Sequence, residues 1–195
     1  MPLQPLAEYE LLAAQAHGHL CAGQILGLRM ALLGVKLLGL DDPAGKDRKR
    51  LVSIVEIDRC MTDAIGVVTG CRLGKRALKF RDFGKAAATF CDLQGNRAVR
   101  IAARESAKER ARARYPEIAG RNLQQMRAYR EMPDEELFHI EWVRVTLDAE
   151  DLPGYRAPGV ICAQCGESVS FRREVVREGR PLCRGCAGER YYEPA

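Results

Sequence analysis

Two clusters of soft metal ligands mark this 195-residue sequence. Near the C-terminus, "CAQC" and "CRGC" supply Cys162, Cys165, Cys183 and Cys186, with 17 residues between the pairs. A two-residue gap lets a tight knuckle aim both sulfurs at one ion, and two knuckles complete a tetrahedral sulfur shell for zinc. Gly166 follows the first pair, where a knuckle needs positive φ or close backbone approach. The second cluster, "HGHLCAG" at residues 17–23, places His17, His19 and Cys21 within five positions. These are also zinc's preferred ligand types.

The completion of that second site is sought in "EIDRCMTDAI". Cys60 falls there at a strand-to-helix transition, where a helix N-terminus favours a thiolate. Asp63, one turn on, can accept a hydrogen bond from a ligand histidine. If a helix began before His17, then His17 and Cys21 would share a face; if Gly18 bends the chain, His19 and Cys21 point together. Gly23 and Gly27, one turn apart, let a backbone or a ligand approach closely and are assigned to the pocket lining. The alternative for each residue alone is a helix cap, a satisfied histidine or a buried thiol. Taken together they favour a metal or reactive-thiol site in the core, the metal being zinc by ligand type.

The elements that must position these residues can be read from periodicity. "PLAEYELLAAQA" places Leu6, Tyr9, Leu12, Ala13 and Ala16 on one helical face. A second helix starts near Leu20 or Cys21 and is apolar over so much of its girth that it must be central. "RLVSIVEI" reads as a strand and "MTDAIGVVTG" as a helix ending at Gly70. "ALKF" and "AAATFCDL" read as strands, with Cys91 assigned to packing, and Gln94-Gly95-Asn96 lie near a hairpin turn. "ESAKERARAR" and "PEIAGRNLQQMRAYREM" are helical. "FHIEWVRVTL" is a strand with Phe138, Ile140 and Trp142 on one face. Helices and strands without regular βαβ rhythm make the core α+β, a mixed or antiparallel sheet packed with helices. We place this core at residues 1–147, a linker at 148–159 and a small four-cysteine zinc-ribbon or treble-clef domain at 160–195. In the ribbon, "SVSFRREVV" reads as a strand, "RPL" as its return and "CAGERYY" as a short helix.

Composition limits the function. Hydrophobic residues are 47%, charged residues 29% and the net charge is +5, an ordinary globular balance. The opening "MPLQPLAEYE" shows no signal peptide, which predicts a cytoplasmic protein whose eight cysteines bind metal rather than form disulfides. The most apolar run, residues 25–40, contains Arg29 and Lys36 and is too short for a membrane span. "GCRLGKR" fails as a phosphate loop: one residue is missing between the glycines, and Arg76 replaces the magnesium-binding hydroxyl. Residues 97–130 hold ten basic and three acidic residues. A solvated helix face explains this better than nucleic-acid binding. The ribbon is near neutral once zinc and its thiolates are counted, which fits protein contact better than nucleic acid.

"HGHLCAGQILGLRMALLG", then "EIDRCMTDAIGVVTGCRLGKRALKFRDFGKAAATF", then "CAQC…CRGC", closely resemble the FmdE family, named for the E component of formylmethanofuran dehydrogenase. The resemblance covers most of residues 17–91. It implies an α+β core followed by a zinc finger, an intertwined homodimer, and a metal site around His17, His19, Cys21 and Cys60. Ala22 stands where many members carry Pro, and Arg72 where Thr follows the Gly-Cys pair. The leading expectation is a dimeric zinc protein, an accessory or metal sensor for a molybdenum or tungsten enzyme. Two alternatives are a zinc enzyme with an open core site, using Asp63 as acid or base, and a nucleic-acid-binding regulator.

Overall fold

The computed structural model describes residues 2–193, and the chain divides into two compact units, Met1–Thr146 and Leu147–Ala195. The first unit is built on a five-stranded mixed sheet ordered β2-β1-β3-β4-β5: β1 (Leu51–Val55), β2 (Leu78–Phe80), β3 (Ala87–Asp92), β4 (Arg97–Ala103) and β5 (Phe138–Val143). All pairings are antiparallel except β1 with β2, which run parallel with Ser53 opposite Leu78. Parallel neighbours need a crossover. Helix α3 (Cys60–Thr69) supplies it, so one βαβ unit sits inside the α+β fold.

Period two explains the face of the sheet that meets the helices. Leu51, Val55, Ala88, Phe90, Val99 and Ile101 all join the hydrophobic core. Helix α2 (Ala22–Leu38) packs on β3 and β4, on α3, and on α5 (Arg121–Glu131). Ten of its residues are buried, as its all-round apolarity requires. Gly34 makes the contact with the sheet possible, since a Cβ there would lie 2.3 Å from the Phe90 ring. Gly27 does the same toward α3: a Cβ would stand 2.5 Å from the Met61 carbonyl oxygen. The close approach at Gly27 is therefore to backbone.

Arg29 explains how a charge survives in this helix. Its guanidinium donates to the carbonyls of Tyr129 (2.7 Å) and Met132 (3.0 Å) and to Asp134 Oδ1 (2.6 Å). It thereby caps α5, whose last carbonyls lack partners of their own. Helix α1 (Leu6–His17) buries Tyr9 and Ala13, but Leu12 is 38% exposed and Ala16 lies in solvent, so its buried stripe is narrower than the spacing predicts. The helix expected from Pro116 begins at Arg121, because Gly120 takes φ 97° and breaks it. Trp142 is 55% exposed, although it shares a sheet face with Phe138. It stands near the end of edge strand β5, with the Arg97 guanidinium 5.7 Å over its ring.

The basic stretch is partly compensated, four of its ten basic residues pairing with acids from other elements. Arg100 pairs with Glu56, Arg110 and Arg114 with Glu136, and Arg130 with Glu10. Helix α4 (Ser106–Arg114) buries only Ala107 and Ala111, as a solvated outer helix does. No helix among the described residues is long and apolar enough to cross a membrane.

The second unit contains the paired strands β6 (Val160–Ile161) with β7 (Ser168–Val169) and β8 (Val175–Arg177) with β9 (Arg180–Leu182). The strand expected through "SFRRE" does not form. Phe171 and Arg172 have φ values of 58° and 53°, and two successive left-handed residues make a turn. The helical turn Gly185–Glu189 stops before the tyrosines, kinked by Gly188 at φ 106°. Asp151, within the acidic and proline-rich segment, pairs with Arg173 of the same unit.

The two glycines of α2 differ in a measurable way. Gly27→Ala gains up to about 1 kcal/mol of helix propensity but must displace α3 backbone, a cost of about 1–3 kcal/mol or more. Urea unfolding should show net destabilisation for Gly27→Ala and little loss for Gly23→Ala, whose Cβ would meet nothing closer than 3.4 Å. Equal effects would place the α2–α3 contact elsewhere.

Candidate metal centres

In the ribbon, Cys162, Cys165, Cys183 and Cys186 hold their sulfurs within 4.8 Å of one another. A tetrahedron with zinc–sulfur bonds of about 2.3 Å has edges of about 3.8 Å. The 3.9 Å between the Cys165 and Cys183 sulfurs fits that figure. The knuckles also aim backbone N–H groups at sulfur. Cys183 donates to Cys162 Sγ at 3.2 Å, and Cys186 donates to Cys183 Sγ at 3.3 Å. Donors from Cys165 first, then Cys183, bring the Cys162 thiol down to about 6, toward the thiolate that zinc requires. Gly166 takes φ 77° and closes the first knuckle, its N–H donating to Cys162 O at 3.0 Å.

The core cluster is assembled by helix ends. Cys21 is the N-cap of α2 and Cys60 the first residue of α3. Gly23 lies between them: a Cβ there would be 3.4 Å from Cys60 Cβ and 3.7 Å from Cys21 Sγ. Both distances are ordinary van der Waals contact, so the thiols flank this glycine without crowding it. His17 closes α1, where Gly18 at φ 91° turns the chain out of the helix. Its Nδ1 lies 2.8 Å from Asp63 Oδ2. A carboxylate only accepts, so in the neutral imidazole this bond keeps the proton on Nδ1 and leaves Nε2 to bind metal. The His19 ring lies 5.0 Å from that of His17. His17, Cys60, Asp63 and Thr62 line an open cleft of about 410 Å³.

Cys60 departs from one expectation. Burial raises its thiol and the neighbouring Cys21 thiol raises it further, outweighing its own backbone N–H and Arg59. Among the described residues only the ribbon gathers three or more donors within 4.8 Å; the core donors stand as two pairs, Cys21 with Cys60 and His17 with Asp63. The Cys71 and Cys91 thiols lie apart from these, both buried and both raised by burial, Cys91 to about 12.

Two residues not singled out from the sequence hold the core cluster in place. Gln24 is fully buried; its Oε1 accepts from the Cys21 N–H at 3.2 Å, and its Nε2 donates to Ala13 O at 3.0 Å. It completes a capping box whose first member is Cys21. The spacing C-x-x-Q ahead of an apolar run carried that signal, masked because cysteine is not a usual cap. Asn122 reaches from α5 to accept from the Ala22 N–H at 3.0 Å, and no local pattern links positions 100 residues apart.

An α+β core with thiols and a histidine at converging helix ends, together with a C4 zinc finger, defines the class. Residues 16–139 match the family model described as FmdE, Molybdenum formylmethanofuran dehydrogenase operon, and residues 158–192 match the prokaryotic dksA/traR C4-type zinc finger. The chain belongs to the FmdE family. A probable S-adenosyl-L-methionine-binding protein of Archaeoglobus fulgidus is 32% identical over 97% of this chain, which spans 55% of that protein's length. A tungsten formylmethanofuran dehydrogenase FmdE-like protein from Syntrophus aciditrophicus shares the fold, with a TM-score of 0.65 at 21% identity. That likeness covers 96% of this chain and 95% of the other.

The ribbon has little apolar core to hold it without an ion. Cys183→Ser should release one zinc per chain and expose residues 160–193 to protease, while the first unit keeps its circular dichroism. A protease-resistant ribbon lacking zinc would contradict this.

Proposed function

We propose that this protein is a cytoplasmic homodimer holding a second zinc ion in its core, and that it serves a molybdenum or tungsten enzyme as an accessory or metal-sensing protein. The observation that carries the reading is the pairing of Cys21 with Cys60 at an open cleft, beside a histidine already oriented by Asp63. Cys21, Cys60 and His17 would hold the ion after side-chain rotation, and His19 would close the fourth position. Zinc bound there would supply a Lewis acid. A closed shell suits sensing or transfer. A fourth position left open to the cleft would suit hydrolysis, with Asp63 as the nearby carboxylate. The link to molybdenum or tungsten enzymes rests on the family description and on the name of the Syntrophus protein.

The homodimer rests on the family resemblance. Most of the girth of α2 is buried within its own chain, so exposed apolar residues elsewhere in the first unit, among them Leu11, Leu12, Leu73, Phe83, Leu123 and Trp142, are the ones a partner copy would cover. The ribbon, with Ile161, Val176 and Tyr192 exposed, offers apolar side chains to a protein partner.

Metal analysis of the full-length protein tests the core site. Two zinc ions per chain are expected. One should remain in Cys60→Ser and in His17→Ala, and both in Cys91→Ser. Asp63→Asn should weaken the core ion about 10–100-fold, as loss of a histidine's carboxylate partner does. Sedimentation of the same preparations should show a dimer at micromolar concentration. A single zinc in the unaltered chain, or indifference to Cys60→Ser, would return Cys21 and Cys60 to the role of cap and buried thiol.

A further inference from the structure

A second cavity, of about 320 Å³, opens on the first unit away from the cysteines. Its wall is made of small and apolar side chains, Ala86, Ala102, Ala103, Ala107 and Leu26, with Tyr129 behind them. Its rim carries Lys85, Arg100, Arg104, Lys108 and Glu105. Two of those cations are neutralised: Arg100 is held by Glu56 at 2.7 and 2.8 Å, and Lys108 by Glu105 at 2.8 Å. The other two are not. Arg104 donates through Nε to Phe138 O at 2.8 Å, and its terminal nitrogens have no partner among the described residues. The Lys85 ammonium has none either.

Tyr129 is the second, independent observation. It is only 4% exposed, yet its hydroxyl makes no hydrogen bond among the described residues. The hydroxyl is not among the fully buried unpartnered atoms, so it is open to solvent where Tyr129 lines the cavity and is available to a ligand. Burial, aided by Glu105 nearby, lifts this hydroxyl to about 12, so it stays a neutral donor. The first turn of α4 borders the same cavity, and no side chain caps it. Its N–H groups at Ala107 and Lys108 donate to Arg104 O and Glu105 O at 3.1 Å, so the helix end contributes only its dipole.

We propose that this cavity binds a small organic carboxylate, its apolar body against the alanine wall and its carboxylate facing Lys85 and Arg104, with the Tyr129 hydroxyl donating to it. The apolar wall selects an organic anion over inorganic phosphate, which would be better held by a wholly polar cradle. The volume lies at the small end of ligand pockets, which run from about 300 to 1,000 Å³. This site is independent of the metal centres.

Benzoate is the probe, titrated into the full-length protein and followed by amide NMR shifts, with benzamide as the neutral isostere and inorganic phosphate as the polar anion. Saturable shifts at residues 102–107 with benzoate are expected, with benzamide and phosphate at least about tenfold weaker, a factor that corresponds to one good hydrogen bond. Tyr129→Phe keeps the ring and should weaken benzoate about tenfold, as should Lys85→Met, and neither should change the zinc content. No saturable benzoate binding at millimolar concentration, equal binding of benzamide, preference for phosphate, or indifference to Tyr129→Phe would each overturn the proposal.

Discussion

The close approach of α2 and α3 is the constraint on which the core cluster depends. Where Gly27 meets Met61, the α3 backbone stands where a Cβ would otherwise be, and one turn earlier Gly23 meets Cys60. Both helices also begin at this end, so the N-cap Cys21 of α2 and the first residue Cys60 of α3 arrive together although 39 positions separate them in sequence. Widening that seam would separate the sulfurs while leaving the fold class unchanged. Gly27 thus serves packing and chemistry at once, since the same contact that buries α2 brings the helix starts side by side.

Polar groups then fix the remaining freedom. Gln24 ties the start of α2 to the body of α1, which ends at His17. Asp63, a residue of α3's first turn, takes the His17 ring from the other side. Asn122 anchors the first N–H of α2 to α5. Gln24 and Asn122 each satisfy a helix-start N–H that would otherwise be left without a partner. The end of α1 and the start of α3 therefore converge on one cleft, with the start of α2 beside Cys60. The ribbon reaches a related end by simpler means: local knuckles aim N–H groups at sulfur, and four thiols converge within one short segment.

Much of this was legible in the residues. The ribbon's four cysteines carry their geometry in their spacing, because a knuckle is local. The central helix was visible in its apolar girth, the hairpin in its glycine turn, and Asp63 in its distance from Cys60. What escaped reading depended on distant partners. The periodicity of α1 placed Leu12 inward, but burial stops at Ala13 because α2 and α3 cover only part of that face. Trp142 alternates correctly and still lies in solvent, because nothing along strand β5 shows how far the helices reach across the sheet. The basic stretch looked like excess charge until its acids, Glu10, Glu56 and Glu136, arrived from other elements. The pairing of His17 rather than His19 with Asp63 followed from the left-handed turn at Gly18, which lets α1 end on His17.

The most direct test of the core centre is zinc X-ray absorption on the Cys183→Ser chain, in which the ribbon is disabled and only core metal can contribute. A mixed shell is expected, two sulfurs at about 2.3 Å and at least one imidazole nitrogen at about 2.0–2.1 Å. An absent zinc signal, or a shell without sulfur, would contradict a core centre built on Cys21 and Cys60.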